Sequence, residues 1–406
     1  MKKDEQLQLK WWVIPGAIII GLLIIGGIIL GVSKLTGNKK EFADMDAMHE
    51  KTTQESEKNN DNSKREPINT SNNNKDTSES TPSTENTEKI RGCVNTFAGY
   101  TSLFAANGGN TTQENSNFDK AGLNVEIYIE DDDDNIIEAF KNGEIQFFAM
   151  TINKMALVAK QLEDEGIETV MPFFLDTSTG GDGIITDSNV KNIADLKNVK
   201  IGMAKNSVST AIPVWYLNIA GLSESEVQEI VDNFVLFDST QEAVDAFVVG
   251  EVGAVSTWNI TGALEKDGSH VLTDTNSGEF LVIDGIVFNK EFAESHKDEI
   301  LTMIDAILVT VNDINDGVNV ESYYESIRQS VPDFASYSND ELASELSYAK
   351  FLGYNGNLQA LEVAEDVYKD FSKVWAQLGH ETNENYQLID DSYITDLSWW
   401  EGMMLE

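Results

Sequence analysis

Ser207, Ser209 and Thr210 fall within four positions, at the head of a stretch of helical character that carries Trp215, Leu217 and Ile219. A helix N-terminus presents unsatisfied N–H groups and the positive end of the helix dipole, so hydroxyls gathered there favour an anionic group. Capping the helix accounts for one of the three and leaves two. Asn95 with Thr96, and Thr151 with Asn153, each follow an apolar run at the point where a strand gives way to a helix. Such residues cap the next helix or hold a solute by hydrogen bonds. Trp258 closes a third apolar run, where an indole either joins a core or stacks on a solute. Asp182 and Asp284 lie in the glycine-bearing segments GGDGII and LVIDGIV. A carboxylate there bonds turn amides or holds an ammonium group. These ten residues form the candidate ligand-binding set, and the chemistry such groups could do is reversible hydrogen bonding, ion pairing and stacking. The acidic run at 131–134 sits at another strand end and reads as a solvated turn with a helix cap.

Catalysis has little to work with. The four histidines, His49, His270, His296 and His380, stand at no metal-ligand spacing, and Cys93 is the single cysteine. No Ser-His-Asp or Cys-His arrangement suggests itself, so the reading is a protein that is not an enzyme and needs no metal or cofactor. The three arginines, Arg65, Arg91 and Arg328, fall outside the predicted binding loops. An oxyanion would therefore be held without a guanidinium fork, by backbone N–H groups and hydroxyls. Hydroxyls, carboxylates and an indole together suit a small polar or zwitterionic solute. With 69 acidic and 28 basic residues, the net charge of −41 repels nucleic acid, which is set aside as a partner.

The elements that must position these residues begin late in the chain. Lys2, Lys3 and Lys10 precede WWVIPGAIIIGLLIIGGIILGV, residues 11–32, which carries no charge. At about 1.5 Å per residue this stretch covers a bilayer core of about 30 Å, and it exceeds a secretory apolar region of about 7–15 residues. It reads as an uncleaved transmembrane signal anchor, with residues 1–10 as a cytoplasmic tail. Lysines at 34, 39 and 40 balance those before the span, so charge alone does not orient it. Residues 33–89 are polar, as in TSNNNKDTSESTPSTENTEK, and bury too little apolar surface to offset chain entropy. They read as a disordered tether reaching on the order of 40 Å. From Ile90 the texture changes to α/β, with short apolar runs alternating with amphipathic segments and glycine turns.

One phrase is written twice. AFKNGEIQFFAMT at 139–151 and AFVVGEVGAVSTW at 246–258 each end a helix on Ala-Phe, turn at Gly-Glu and enter a β-rich run. Before each copy stand a strand, a polar turn, a helix, a second strand and a second helix, so two βαβαβ units follow in series. Two copies exclude a solenoid. They predict two α/β lobes whose strand ends face one another, with solute between them.

The run GGDGIITDSNVKNIADLKNVKIGMAKNSVSTAIPVWYLNIAGLS at 180–223 resembles solute-binding proteins of ABC transporters with the type II periplasmic-binding fold. Within these it is similar to the nitrate, sulfonate, taurine and thiamine-precursor class. GCVNTFAGYTS, AFKNGEIQFFAMT and STGGDGII bring it nearer to a set labelled phosphate ABC transporter substrate-binding, often fused to an OmpA-like domain. The resemblance spans residues 90–375 and implies lobe one at 90–186, lobe two at 187–280, and a return to lobe one with a helical tail at 281–406. It places crossovers at 180–185 and 281–287, where Gly180, Gly181, Gly183 and Gly285 would absorb the closing motion. It also implies delivery of the solute to an ABC permease in the membrane by a monomeric ectodomain. The alternatives are a surface sensor or interaction module on the same fold, and an enzyme of the thiamine-pyrimidine type, which consumes an active-site histidine with iron.

Overall fold

The computed structural model describes residues 89–278, 280–398 and 400. The expected cytoplasmic tail, membrane span and tether lie outside them. Among the described residues no helix is long and apolar enough to cross a membrane.

Eleven strands build two sheets among the described residues. The first holds β1 (Ile90–Val94), β2 (Val125–Ile129), β3 (Phe147–Thr151), β4 (Thr169–Ser178), β10 (Ile283–Asn289) and β11 (Ala349–Phe351), in the order β11-β4-β10-β3-β1-β2. The second holds β5 (Gly183–Asp187), β6 (Ile201–Ala204), β7 (Phe234–Phe237), β8 (Ala254–Thr257) and β9 (Ser269–Asp274), in the order β7-β6-β8-β5-β9. In each sheet the first strand of the repeated unit lies between the other two, and all pairings within the unit are parallel. Parallel strands need helical crossovers, and those helices bury both faces of the sheet. This is why Phe147 and Phe148 of β3 are fully buried in the first lobe, and Val255 of β8 in the second.

The repeated phrase is the same local structure twice. Gly143 and Gly250 follow their helices with φ of 73° and 82°, a left-handed conformation that glycine adopts without steric cost. In copy one the Gly143 N–H donates to Phe140 O and the Glu144 N–H to Ala139 O, both at 3.0 Å. In copy two Gly250 donates to Phe247 O at 3.0 Å and Glu251 to Ala246 O at 2.8 Å. The double closure satisfies the last helical carbonyls and aims the chain into β3 or β8.

The chain leaves the first sheet after Ser178, enters the second at Gly183, leaves it after Asp274 and returns at Ile283. Gly180 alone of the four predicted hinge glycines has a positive φ, at 79°. Gly285 serves close packing instead: it lies inside β10, where a Cβ would come 2.4 Å from Met171 Sδ. The tail returns to the first lobe. Its long helix Tyr354–Gln377 packs on the helix Ile152–Asp164, and Trp375 Nε1 donates to Asn153 O at 2.8 Å.

Candidate functional site

Strand ends and the two links between sheets converge on one group of polar residues. β10 pairs with β3 and β4 so that Asp284 stands opposite Thr151 on one side and Asp176 on the other. The three form a row across the sheet. Asp284 is 1% exposed and its Oδ1 accepts a 2.5 Å hydrogen bond from Tyr100 Oη, while Oδ2 has no partner. Asp176 is fully buried and neither of its carboxylate oxygens has a partner. Its Oδ2 lies against Gly99, where a Cβ would approach it to 2.1 Å and Phe97 Cε1 to 2.6 Å. Phe97 and Tyr100 meet edge to face, with centroids 5.5 Å apart.

Asp182 sits in the outgoing link. Its Oδ2 accepts from Ser178 Oγ at 2.8 Å, and Ser178 Oγ lies 3.0 Å from Thr275 Oγ1 in the returning link. The Gly180 N–H donates to the same Thr275 hydroxyl at 2.8 Å. The two links are thus stitched together by hydroxyls.

Burial governs the protonation of these acids. It lifts Asp284 to about 7, against the lowering pull of the Tyr100 hydroxyl. It lifts Asp182 to about 6. Burial first, and then the charges of Asp284 and Asp182, hold Asp176 well above the carboxylate range. Tyr100 is pushed up by burial and by the carboxylate it bonds.

In the second lobe, β6 leads into the helix Val208–Ile219. Ser207 precedes it without capping it: its Oγ donates to Ala204 O at 2.8 Å, as Thr210 Oγ1 does at 2.6 Å. The protons of both hydroxyls are therefore committed to the end of β6. Ser209 Oγ is buried without a partner. Lys154 joins the two lobes. It stands in the helix that follows β3, its Nζ donates to Asn206 O just after β6, and it pairs with Asp133 Oδ2 at 3.1 Å.

The remaining predicted residues have local duties. Asn95 Oδ1 accepts from the Phe97 N–H at 3.0 Å. The N–H and Oγ1 of Thr96 both donate to Asp131 Oδ1 at 2.9 Å. Thr151 caps its helix by accepting from the Lys154 N–H at 2.9 Å. Asn153 is buried, donates through Nδ2 to Leu281 O at 2.9 Å, and leaves Oδ1 without a partner. Trp258 is 51% exposed and belongs to no core.

Sequence reasoning missed Asp176, Tyr100 and Lys154. Asp176 directly follows an apolar run and precedes a glycine cluster, the same signal that singled out Asp284. Lys154 is a lone cation in the first turn of an otherwise apolar helix face. Of the described histidines, His270 lies in β9, His296 between two tail helices and His380 after the last long helix, so none stands at a strand end facing the acids. Among the described residues no cluster of His, Cys, Asp and Glu has the form of a metal site.

Residues 111–315, half of the chain, match a family model described as NMT1/THI5 like. No curated protein sequence matches. Among solved structures the chain resembles the periplasmic aliphatic sulphonate-binding protein SsuA of Escherichia coli, with 16% identity and a TM-score of 0.55 over 76% of this chain and 99% of that one. It also resembles the alkanesulfonate-binding protein SsuA of Xanthomonas axonopodis pv. citri bound to MOPS, with 14% identity and a TM-score of 0.53 over 72% and 94%. A third is the ligand-binding component of an ABC-type import system of Staphylococcus aureus with zinc bound, with 12% identity and a TM-score of 0.54 over 76% and 98%. At these identities the likeness is one of fold: two α/β lobes of the periplasmic-binding type.

Proposed function

Because this chain belongs to the NMT1/THI5-like family, we propose that it is a solute-binding protein that captures a small polar solute between its lobes for an ABC importer. The observation that carries this reading is the convergence of the row Thr151, Asp284 and Asp176 with the stitched links between sheets, under the Lys154 bridge to the opposite lobe. Two lobes joined by two links close on a solute and open by a small change at those links. The fold relatives, two sulphonate-binding proteins and one ligand-binding component of an importer, support the same class. This reading is of binding without chemistry; among the described residues the histidines lie in β9, between two tail helices and after the last long helix.

Residues 11–32 anchor the protein in the membrane and residues 33–89 hold the folded part outside the cytoplasm, within reach of a permease. Native mass spectrometry of the full chain purified from its own host tests the binding reading: a small molecule released on denaturation is the expected result. A chain that carries none, and whose deletion leaves uptake unchanged for every solute tried, would overturn it. Membrane fractionation with protease added to intact cells tests the anchor; recovery in the soluble fraction, or protection of the folded part, would refute it.

A further inference from the structure

Lys154 already has its counter-ion in Asp133 at 3.1 Å. Among the described residues the buried carboxyls of Asp176 and Asp284 form no ion pair. Asp176 Oδ1 and Oδ2 and Asp284 Oδ2 are three carboxylate oxygens without a hydrogen bond, in residues 0% and 1% exposed. Buried carboxyls usually find donors, because leaving one unpaired costs more than most single contacts return. A fold that needed only packing here would place apolar residues in the row, as β4 does at Phe173 and Phe174. The neighbouring charges of Asp284 and Asp182 both disfavour a charged Asp176. Beside the unpaired oxygens stand the aromatic rings of Phe97 and Tyr100, and Gly99 withholds the Cβ that would crowd them out.

Acceptors without donors, next to aromatic faces, are complementary to an ammonium group. We propose that the solute carries an ammonium group and that Asp176 and Asp284 hold it, with Tyr100 and Phe97 alongside. The proposal rests on the solute-binding reading and adds the charge of the solute to it. It narrows the small polar or zwitterionic solute expected from the sequence to one that bears an ammonium group. Asp182 takes no part in the contact, because Ser178 already occupies it in the links. The Tyr100 hydroxyl orients Asp284 so that Oδ2 is the free oxygen.

The test reads the thermal midpoint of the full-length chain at pH 8 with methylammonium chloride, inorganic phosphate or sodium methanesulfonate at millimolar concentration, each against sodium chloride of equal ionic strength. Methylammonium should raise the midpoint by about 2 °C or more, while phosphate and methanesulfonate leave it in place. The double variant Asp176→Asn with Asp284→Asn keeps the shape of both side chains and should fold, yet lose the methylammonium shift. No shift in the parent chain, a shift that survives in the double variant, or a larger shift with phosphate or methanesulfonate would each overturn the ammonium assignment. An anionic molecule released from the host-purified chain would also overturn it while sustaining solute binding. Absence of any released molecule and of any uptake defect strikes the solute-binding reading alone, and a methylammonium shift would stand beside it.

Discussion

Asp176 and Asp284 are direct partners across neighbouring antiparallel strands, and between them they leave three carboxylate oxygens without a hydrogen bond. The arrangement is costly when both are charged and cheap when they are neutral, which ties the state of the site to pH.

The first prediction concerns the chain without solute. Burial raises Asp284 to about 7 and Asp176 above its usual range, so the folded chain holds protons that the unfolded chain, at about 4, has released. Stability from these groups is therefore full at pH 4 and declines as pH rises through 7. Asp284→Asn should flatten that decline and be more stable than the parent at pH 8, by about 1.4 kcal/mol for each pH unit of the window removed. Urea denaturation at pH 5 and pH 8 measures it; an unchanged pH slope in the variant would count against the assignment.

Lys154 spans the lobes, so its loss should favour an open form. Lys154→Met keeps the apolar stem and removes the donor to Asn206 O and the partner of Asp133. Small-angle scattering should give a larger radius of gyration than the parent shows under the same conditions. Equal radii would mean that packing elsewhere holds the lobes together.

Trp258 is 51% exposed, so Trp258→Ala should cost less than about 1 kcal/mol, against about 3–5 for a buried tryptophan. Its effect should fall on solute affinity instead, read by titration of the molecule recovered from the host-purified chain. A large stability loss with affinity retained would move this residue out of the cleft.

Gly143→Ala and Gly250→Ala form a matched pair. Both glycines have φ above 70° and open space where a Cβ would go, so strain rather than collision sets the cost. Each variant should lose about 1 kcal/mol, and the two losses should agree within about 0.5 kcal/mol. A cost at one site alone would deny that the two turns do the same work.

Much of this fold is legible because each repeated unit alternates apolar strands, glycine turns and amphipathic helices. β9 was not legible: SHVLTD is half-buried along its whole length and shows no alternation. β11 has three residues, too few to carry a period. β5 reads as a crossover because its glycine neighbours mask a short strand. At the candidate site, glycine-bearing segments singled out Asp284 and Asp182, and a helix start singled out the hydroxyls of Ser207 and Thr210. Neither signal foresaw that the two hydroxyls turn back to Ala204, since a local acceptor competes with any solute. Asp176 escaped notice because the apolar run before it drew the eye to core packing. Only the pairing of β10 between β3 and β4, nonlocal in sequence, sets it opposite Asp284.

That same insertion of β10 governs the order in which the chain can assemble. The second sheet is encoded by one continuous stretch, 183–274, and needs nothing from outside it to complete its strand pairing. The first sheet is interrupted: β3 and β4 have no strand between them until residues 283–289 emerge. On a chain that threads outward from its N-terminus, the lobe begun first is closed last. Its exposed strand edges stay open through the synthesis of the whole second lobe, which makes β3 and β4 the segments most in need of protection from chance pairing until β10 is made.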